Sequence, residues 1–286
     1  MKKSISQWSF PADQPLAVNL AQAKAAGYAG IEIALNEDPD GSQAALGFLT
    51  VEAVERQAES VRAAVEAAGL EIAAVATGLL WAYPLTANDP AVRARGRQIA
   101  EVLLQAGSLL GVDSALVIPG MVASPFGGGE VVPYEVCYQR SHEAITALIP
   151  VAEKWQVKIA LEPVWNMFLL SPMEWAQFVD SFDSPWVSVY FDVGNVLRTG
   201  FPEQWIRILG ARISRIHVKD FKVSVGTLEG FVDLLAGDAN WPEVMKALRE
   251  IGYDSWVTAE IMPPNPYAPE QILDVNSLAL DRIFRM

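Results

Sequence analysis

Four side chains in the second half of the chain, Glu162, Asp192, His217 and Glu260, are of the types that hold a divalent cation. Each stands near the end of a short apolar run: "VKIALEP" (157–163), "VSVYFDV" (187–193), "ISRIHVK" (213–219) and "WVTAEIM" (256–262). Side chains of a strand alternate between its two faces. One parity carries Ile159 and Leu161; Val187, Val189 and Phe191; Ile216 and Val218; Val257, Ala259 and Ile261. The other carries Lys158 and Glu162; Ser188 and Asp192; Arg215, His217 and Lys219; Thr258 and Glu260, joined by Glu32 from "GIEIAL" (30–35). Parallel sheets are normally apolar on both faces, so a charged parity has to be paired or has to bind something. Three carboxylates and an imidazole meeting at one place repel one another unless a cation joins them, and Mn²⁺, Co²⁺, Zn²⁺ and Mg²⁺ all suit that donor set. Plainer roles exist for each residue taken singly. Glu162 could pair with Lys158 or Lys219, Asp192 could cap the turn after its strand, and His217, one of two histidines in 286 residues, could be a hydrogen-bonded core residue.

The elements that would position these groups repeat regularly. Four further strands are read at "SISQWSF" (4–10), "GIEIAL" (30–35), "EIAAVAT" (71–77) and "SALVIPG" (114–120). Helical patterns lie between and after the strands, at about 15–27, 50–68, 90–111, 134–155, 172–182, 202–210, 241–252 and 269–284. Helices close on glycine just before a new strand, as in "LLGVDSALV" and "EIGYDSWVT", and Ser171-Pro172 with Glu174 carries a helix-opening signature. Eight strand–helix units predict a single (β/α)₈ TIM barrel over 1–286, with strands five to eight presenting Glu162, Asp192, His217 and Glu260 at its active end. A doubly wound sheet is the alternative, but "FGGGE" (126–130) lacks the spacing of a phosphate-binding turn and reads as a flexible loop or lid after strand four. His142 falls inside the helical pattern 134–155 and reads as a packing or surface residue.

Bulk composition narrows the partners. The formal charge of −13 disfavours nucleic acid, whose phosphates need clustered Lys and Arg. The lone cysteine, Cys137, excludes an internal disulfide and fits a reducing compartment. "MKKSISQWSFPADQP" has no apolar stretch behind its lysines, and no run is long enough to span a membrane. The expectation is a cytoplasmic protein that binds neither nucleic acid nor membrane.

The segments "ALEPVWN" (160–166), "YFDVGNVLRTG" (190–200), "RIHVKDFK" (215–222), "GDANWPEVMKAL" (237–248) and "GYDSWVTAEI" (252–261) resemble the sugar-phosphate isomerase/epimerase family, whose fold is a xylose isomerase-like TIM barrel. The resemblance covers nearly the whole chain and is strongest from 157 to 262. It implies one divalent metal ion held by Glu162, Asp192, His217 and Glu260, with Glu162 and Glu260 also serving as the acid/base pair. It implies a small-molecule partner, a sugar or sugar phosphate, and proton transfer on a ketose through a metal-stabilised cis-enediolate. Return of the proton to the same carbon is epimerisation; to its neighbour, isomerisation. Loss of a β-hydroxyl instead would make the chain a keto-polyol dehydratase, and loss of catalysis a sugar-binding barrel. Relatives often pair or form tetramers, so a homo-oligomer is a further expectation. The chain departs from the common pattern at Asn195, where many members carry histidine, and at His217-Val218-Lys219, where many carry a second histidine. Lys219 and Lys222 stand where the sugar epimerases place an arginine.

Substrate contacts are expected from rings and polar groups near the strand ends. Trp8, Trp81 and Trp165 could stack on sugar faces or simply pack loops. Asn166 and Asn195 could hold hydroxyls or orient the ligands, and Lys219 could hold a substrate oxygen or pair with Glu260 or Asp192. Glu32 could bind a hydroxyl or pair with Arg215 or another cation lower in the barrel, and Arg198 could reach a phosphate.

Overall fold

A computed structural model describes residues 1–261 and 267–286. Eight parallel strands close into a barrel: β1 (Lys2–Ser6), β2 (Gly30–Asn36), β3 (Glu71–Ala76), β4 (Ser114–Val117), β5 (Lys158–Leu161), β6 (Val187–Asp192), β7 (Ile213–Val218) and β8 (Trp256–Ala259). Each pairs with its neighbours in sequence, and β1 closes the ring by pairing with both β2 and β8. A helix follows each strand: α1 (Leu16–Ala25), α2 (Val54–Ala67), α3 (Pro90–Leu110), α4 (Tyr134–Trp155), α5 (Pro172–Asp180), α6 (Pro202–Leu209), α7 (Trp241–Glu250) and α8 (Pro269–Ile283). The expected (β/α)₈ barrel is the observed one. Among the described residues no helix is long and apolar enough to cross a membrane.

Local chemistry sets the boundaries. Ser171 accepts from the Glu174 amide at 3.2 Å and Asp89 from the Ala91 amide at 2.8 Å, each ahead of a proline at the first helical position. Gly111 ends α3 with φ +77°, a conformation that glycine adopts without steric cost. The helix expected from residue 50 begins at Val54 instead. Leu49–Thr50 pairs briefly with the end of β2, and both the amide and the hydroxyl of Thr50 donate to Gln57.

The strands are shorter than the apolar runs that announce them, and the difference places the site. β5 ends at Leu161, because Pro163 has no amide to continue the ladder. β8 ends at Ala259, and the Ile261 amide turns to the Ser9 hydroxyl at 3.1 Å; the last residue of the expected strand, Met262, lies outside the described residues. Glu162 and Glu260 therefore stand one step beyond their strands. Their amides still bond Val117 and Val218 of the neighbouring strands, at 3.1 and 3.0 Å. A register shift between β6 and β7 takes up Ser214, whose hydroxyl sits 2.9 Å from that of Ser188. That bulge lets Ile213 and Ile216, three apart, both turn to the helical shell. Asp192 and His217 are then directly paired across β6 and β7, and Thr258 is paired with His217 across β7 and β8.

The outward strand residues Ile159, Val189, Ile216 and Val257 are buried against helix residues such as Leu103, Ile145, Trp175 and Val244. His142 belongs to this shell, with its ring stacked on Phe182 at 4.6 Å. At the lower end of the barrel Arg215 donates to Ala73 O at 3.0 Å and to Ser255 Oγ at 3.2 Å, and is paired with Asp113. Of the partners open to Glu32, Arg215 is not the one it meets; its carboxylate lies on His217. Lys158 lies four residues below Glu162 on the same strand, roughly 13 Å away at strand rise, too far to pair with it.

Candidate metal centre and substrate cavity

His217 is fully buried and its two ring nitrogens face different surroundings. Nε2 lies 3.0 Å from both carboxylate oxygens of Glu32, which also accepts from the Tyr190 hydroxyl. Nδ1 faces Glu162 Oε1 at 3.2 Å, Glu260 Oε2 at 3.4 Å and Asp192 Oδ2 at 3.9 Å. Glu32 thus fixes the ring through Nε2, which turns Nδ1 toward the three carboxylates.

One donor atom from each of Glu162, Asp192, His217 and Glu260 lies within 4.8 Å of all the others, and all four residues are buried. Asp192 divides its carboxylate. Oδ1 accepts from the Asn195 amide at 2.9 Å, so the turn-capping role is also filled. Oδ2 is buried and makes no hydrogen bond, although Lys219 Nζ is 3.1 Å away. A buried oxygen directed inward without a hydrogen bond, beside two further carboxylates and an imidazole nitrogen, fits a hard divalent cation. The four residues form a candidate metal site.

Lys219 is the local positive charge. Its Nζ lies 2.5 Å from Glu260 Oε2 and stands 5.1 Å over the Phe231 ring. It passes so close to the backbone of "DVGN" that a Cβ at Gly194 would lie 2.5 Å from Lys219 Cγ. The ionisation of the cluster reflects these contacts. Burial pushes Glu162 up to about 7, against the opposing pull of His217. Burial also raises Asp192, with Lys219 opposing. Glu260 is the reverse case: burial works against its charge, but Lys219 and His217 outweigh it and hold the carboxyl well below the usual range. Burial would discharge His217 and Lys219, yet the carboxylates around them raise both.

Above the cluster opens a cavity of about 630 Å³. Glu162, Glu260 and Lys219 form part of its floor, and Trp8, Trp81, Trp165 and Asn195 part of its wall. Trp165 is held by its indole N–H on Asn195 O at 2.9 Å and packs on Phe231 at 5.1 Å. Trp81 meets Phe126, from the glycine-rich loop after β4, edge-on at 5.3 Å. Three expected substrate contacts are placed elsewhere. Asn166 is fully buried, donating to Gly120 O at 2.8 Å and accepting from the Phe168 amide at 3.1 Å, so it ties two loops together. Glu32 lies beneath the cluster on His217. Arg198 is exposed and stacks on the Trp165 ring at 4.6 Å, outside the cavity lining.

Sequence reasoning passes over several contributors. Tyr190 shares the inward parity of Asp192, and that parity was sufficient to select it. Asp220 carries no strand signal, yet it accepts from the amides of Leu235 and Ala239, both at 3.1 Å, and from Trp241 Nε1 at 3.0 Å. It thereby ties back the 219–240 loop that brings Phe231 and Leu228 to the cavity. Gln7, Asn36, Gln43 and Phe126 also line the wall, from loops and strand ends where no periodicity marks them.

Known proteins share this architecture. L-ribulose-5-phosphate 3-epimerase UlaE of Escherichia coli is 25% identical over 258 residues, covering 87% of this chain and 83% of the relative. A D-psicose 3-epimerase from Clostridium cellulolyticum H10, solved with D-tagatose, superposes with a TM-score of 0.75 at 20% identity, covering 100% of this chain and 98% of that one. The IOLI protein, solved with a bound zinc atom, superposes with a TM-score of 0.77 at 18% identity, covering 99% and 98%. The sequence profile of the xylose isomerase-like TIM barrel matches residues 20–276, and the chain belongs to that family.

Proposed function

We propose that the protein is a metal-dependent isomerase that epimerises a ketose by moving a proton at the carbon next to its carbonyl. The observation that carries this reading is the placement of Glu162 and Glu260 within 3.2 and 3.4 Å of His217 Nδ1, both lining one cavity. Its relatives include a 3-epimerase along most of the chain, which favours inversion at C3.

Glu162, Asp192, His217 and Glu260 would hold one divalent ion, of manganese, cobalt, zinc or magnesium. Such an ion supplies Lewis-acid polarisation of a substrate carbonyl and its neighbouring hydroxyl. The chain's own groups do the rest. Glu32 keeps His217 in one orientation. One of the two glutamates takes the proton from the carbon acid; the other delivers a proton to the opposite face, which inverts the centre. Lys219 holds Glu260 ionised. The rings above the floor exclude water from the reacting carbon.

The test is proton NMR in D₂O with manganese- or cobalt-loaded protein and a panel of ketoses. Deuterium at C3 with inverted configuration is expected. Loss of water from the substrate would replace epimerase with lyase, and binding without exchange would leave a sugar-binding barrel.

A further inference from the structure

We infer that the substrate is an uncharged keto sugar, one without a phosphoryl group, whose end remote from the metal centre is held between aromatic rings and neutral amides. The inference rests on the proton-transfer reading for which end of the sugar meets the cluster, and on the cavity for the rest.

A phosphorylated sugar would bring a dianion into the mouth of the barrel, where it needs cations or an array of free donors. Among the described residues, the loops at this end span 7–15, 37–53, 77–89, 118–133, 162–171, 193–201 and 219–240, with 260–261 after β8. Their sequences hold only three basic residues, Arg198, Lys219 and Lys222. Lys219 is engaged by Glu260 and Asp192. Arg198 stacks on Trp165 at 4.6 Å and does not line the cavity, and Lys222 is exposed and does not line it either. Cations that approach the rim from the helices are held as well: Arg95 by Glu37 at 2.6 Å, and Arg140 by the carbonyls of Thr86 and Ala87 at 3.0 and 3.1 Å. In TIM barrels a phosphate commonly sits at the loops after strands seven and eight. Here the loop after β7 brings Leu228, Phe231 and Val232 to the cavity, and its one lining cation, Lys219, is already paired.

The cavity offers a different kind of grip. Trp8, Trp81 and Phe126 stand on the β1–β4 side and Trp165 and Phe231 on the β5–β7 side, with Gln7 and Gln43 among them. Rings take the C–H faces of a sugar and amides take its hydroxyls, without any charge to match.

The experiment uses matched pairs of L-ribulose with L-ribulose 5-phosphate and D-fructose with D-fructose 6-phosphate. Deuterium exchange by the metal-loaded protein gives kcat/KM for each, and quenching of tryptophan fluorescence gives binding independently of turnover. The free sugar of a pair is expected to exceed its phosphate at least about tenfold in both readouts, the scale of one uncompensated charge. Gln43→Lys, which places a cation on the rim, should shift the ratio toward the phosphate by a similar factor. If neither sugar of any pair exchanges, the proton-transfer reading fails, and the substrate class is judged by binding alone. Equal or tighter binding of the phosphates, or no binding of any uncharged sugar, overturns the inference.

Discussion

The two halves of the barrel mouth are built from different chemistry. Over β5–β8 the wall is charged and tightly tied: His217 is contacted by two carboxylates within 3.2 Å, Lys219 is pinned between Asp192 and Glu260, and a Cβ at Gly237 would strike Asp220 at 2.2 Å. Over β1–β4 the wall is made of rings and neutral amides, and its loop after β4 carries Phe126, 64% exposed, followed by three glycines with positive φ. One half has no slack because each charge depends on its neighbours for compensation. The other gains its contacts by area, which tolerates small shifts. The division teaches where substitutions should register: in the chemical step and the metal on one side, in substrate binding on the other. Glu32 is the exception that joins them, a β2 residue whose carboxylate serves His217 on β7.

The largest effect should come from the charged half. Glu260→Gln keeps the shape and removes the base, so solvent exchange in the NMR assay should fall about 10²–10⁴-fold while sugar binding by tryptophan quenching is largely kept. Glu162→Gln should behave alike. A variant of either kind with near-normal exchange would break the assignment of the pair.

Lys219 tests the electrostatics of the same half. Lys219→Met leaves Asp192 and Glu260 buried without their ammonium partner, a loss that typically costs roughly 3–5 kcal/mol. The metal-free protein should denature at clearly lower urea, and added Mn²⁺ should restore much of the difference by binding the folded state alone. Gly194→Ala, which crowds the lysine stem, should show a weaker form of the same defect. Unchanged stability in both variants would mean that the pairing contributes little.

The charged half was also the half that could be read from sequence, and the reason is periodicity. Strand parity selects Glu162, Asp192 and His217 because a two-residue repeat fixes which face a side chain occupies, and the apolar parity around them confirms the phase. Glu260 and Glu162 lie just past their strands, yet the ladder hydrogen bonds of their amides keep that phase for one more step. Beyond it the phase is lost. Asn166, four residues after Glu162, turns away to bond Gly120, and Arg198 stacks on Trp165 without lining the cavity. Phe126 and Phe231 enter the cavity from loops whose course is set by contacts distant in sequence, such as Asp220 with Leu235 and Trp241. Loop rims are assembled by tertiary contacts, so no local pattern announces them.

Glu32 sharpens the comparison, since it lies on one half and acts on the other. Glu32→Gln keeps a hydrogen bond to His217 and removes the charge. Loss of such a supporting carboxylate typically costs 10–100-fold in metal affinity. Titration of the metal-free protein with Co²⁺, followed by its visible absorption, should show that weakening without any change in sugar quenching by the loaded protein. An affinity as tight as that of the parent would separate Glu32 from the metal centre.

The smallest effects belong to the aromatic half. Trp81→Ala and Phe126→Ala each remove one ring of an edge-on pair 5.3 Å apart at 78°. Ring contacts of this kind are worth about 0.5–1.5 kcal/mol beyond area, so KM for a free ketose should rise roughly 2–10-fold in each variant. Because the rings touch, the double variant should lose less than the two single losses combined. The proton-transfer step should respond far less than it does to Glu260→Gln, since neither ring reaches the carboxylate cluster. If kcat instead fell while KM held, the rings would be shaping the reacting geometry, and the separation between a half that reacts and a half that binds would fail.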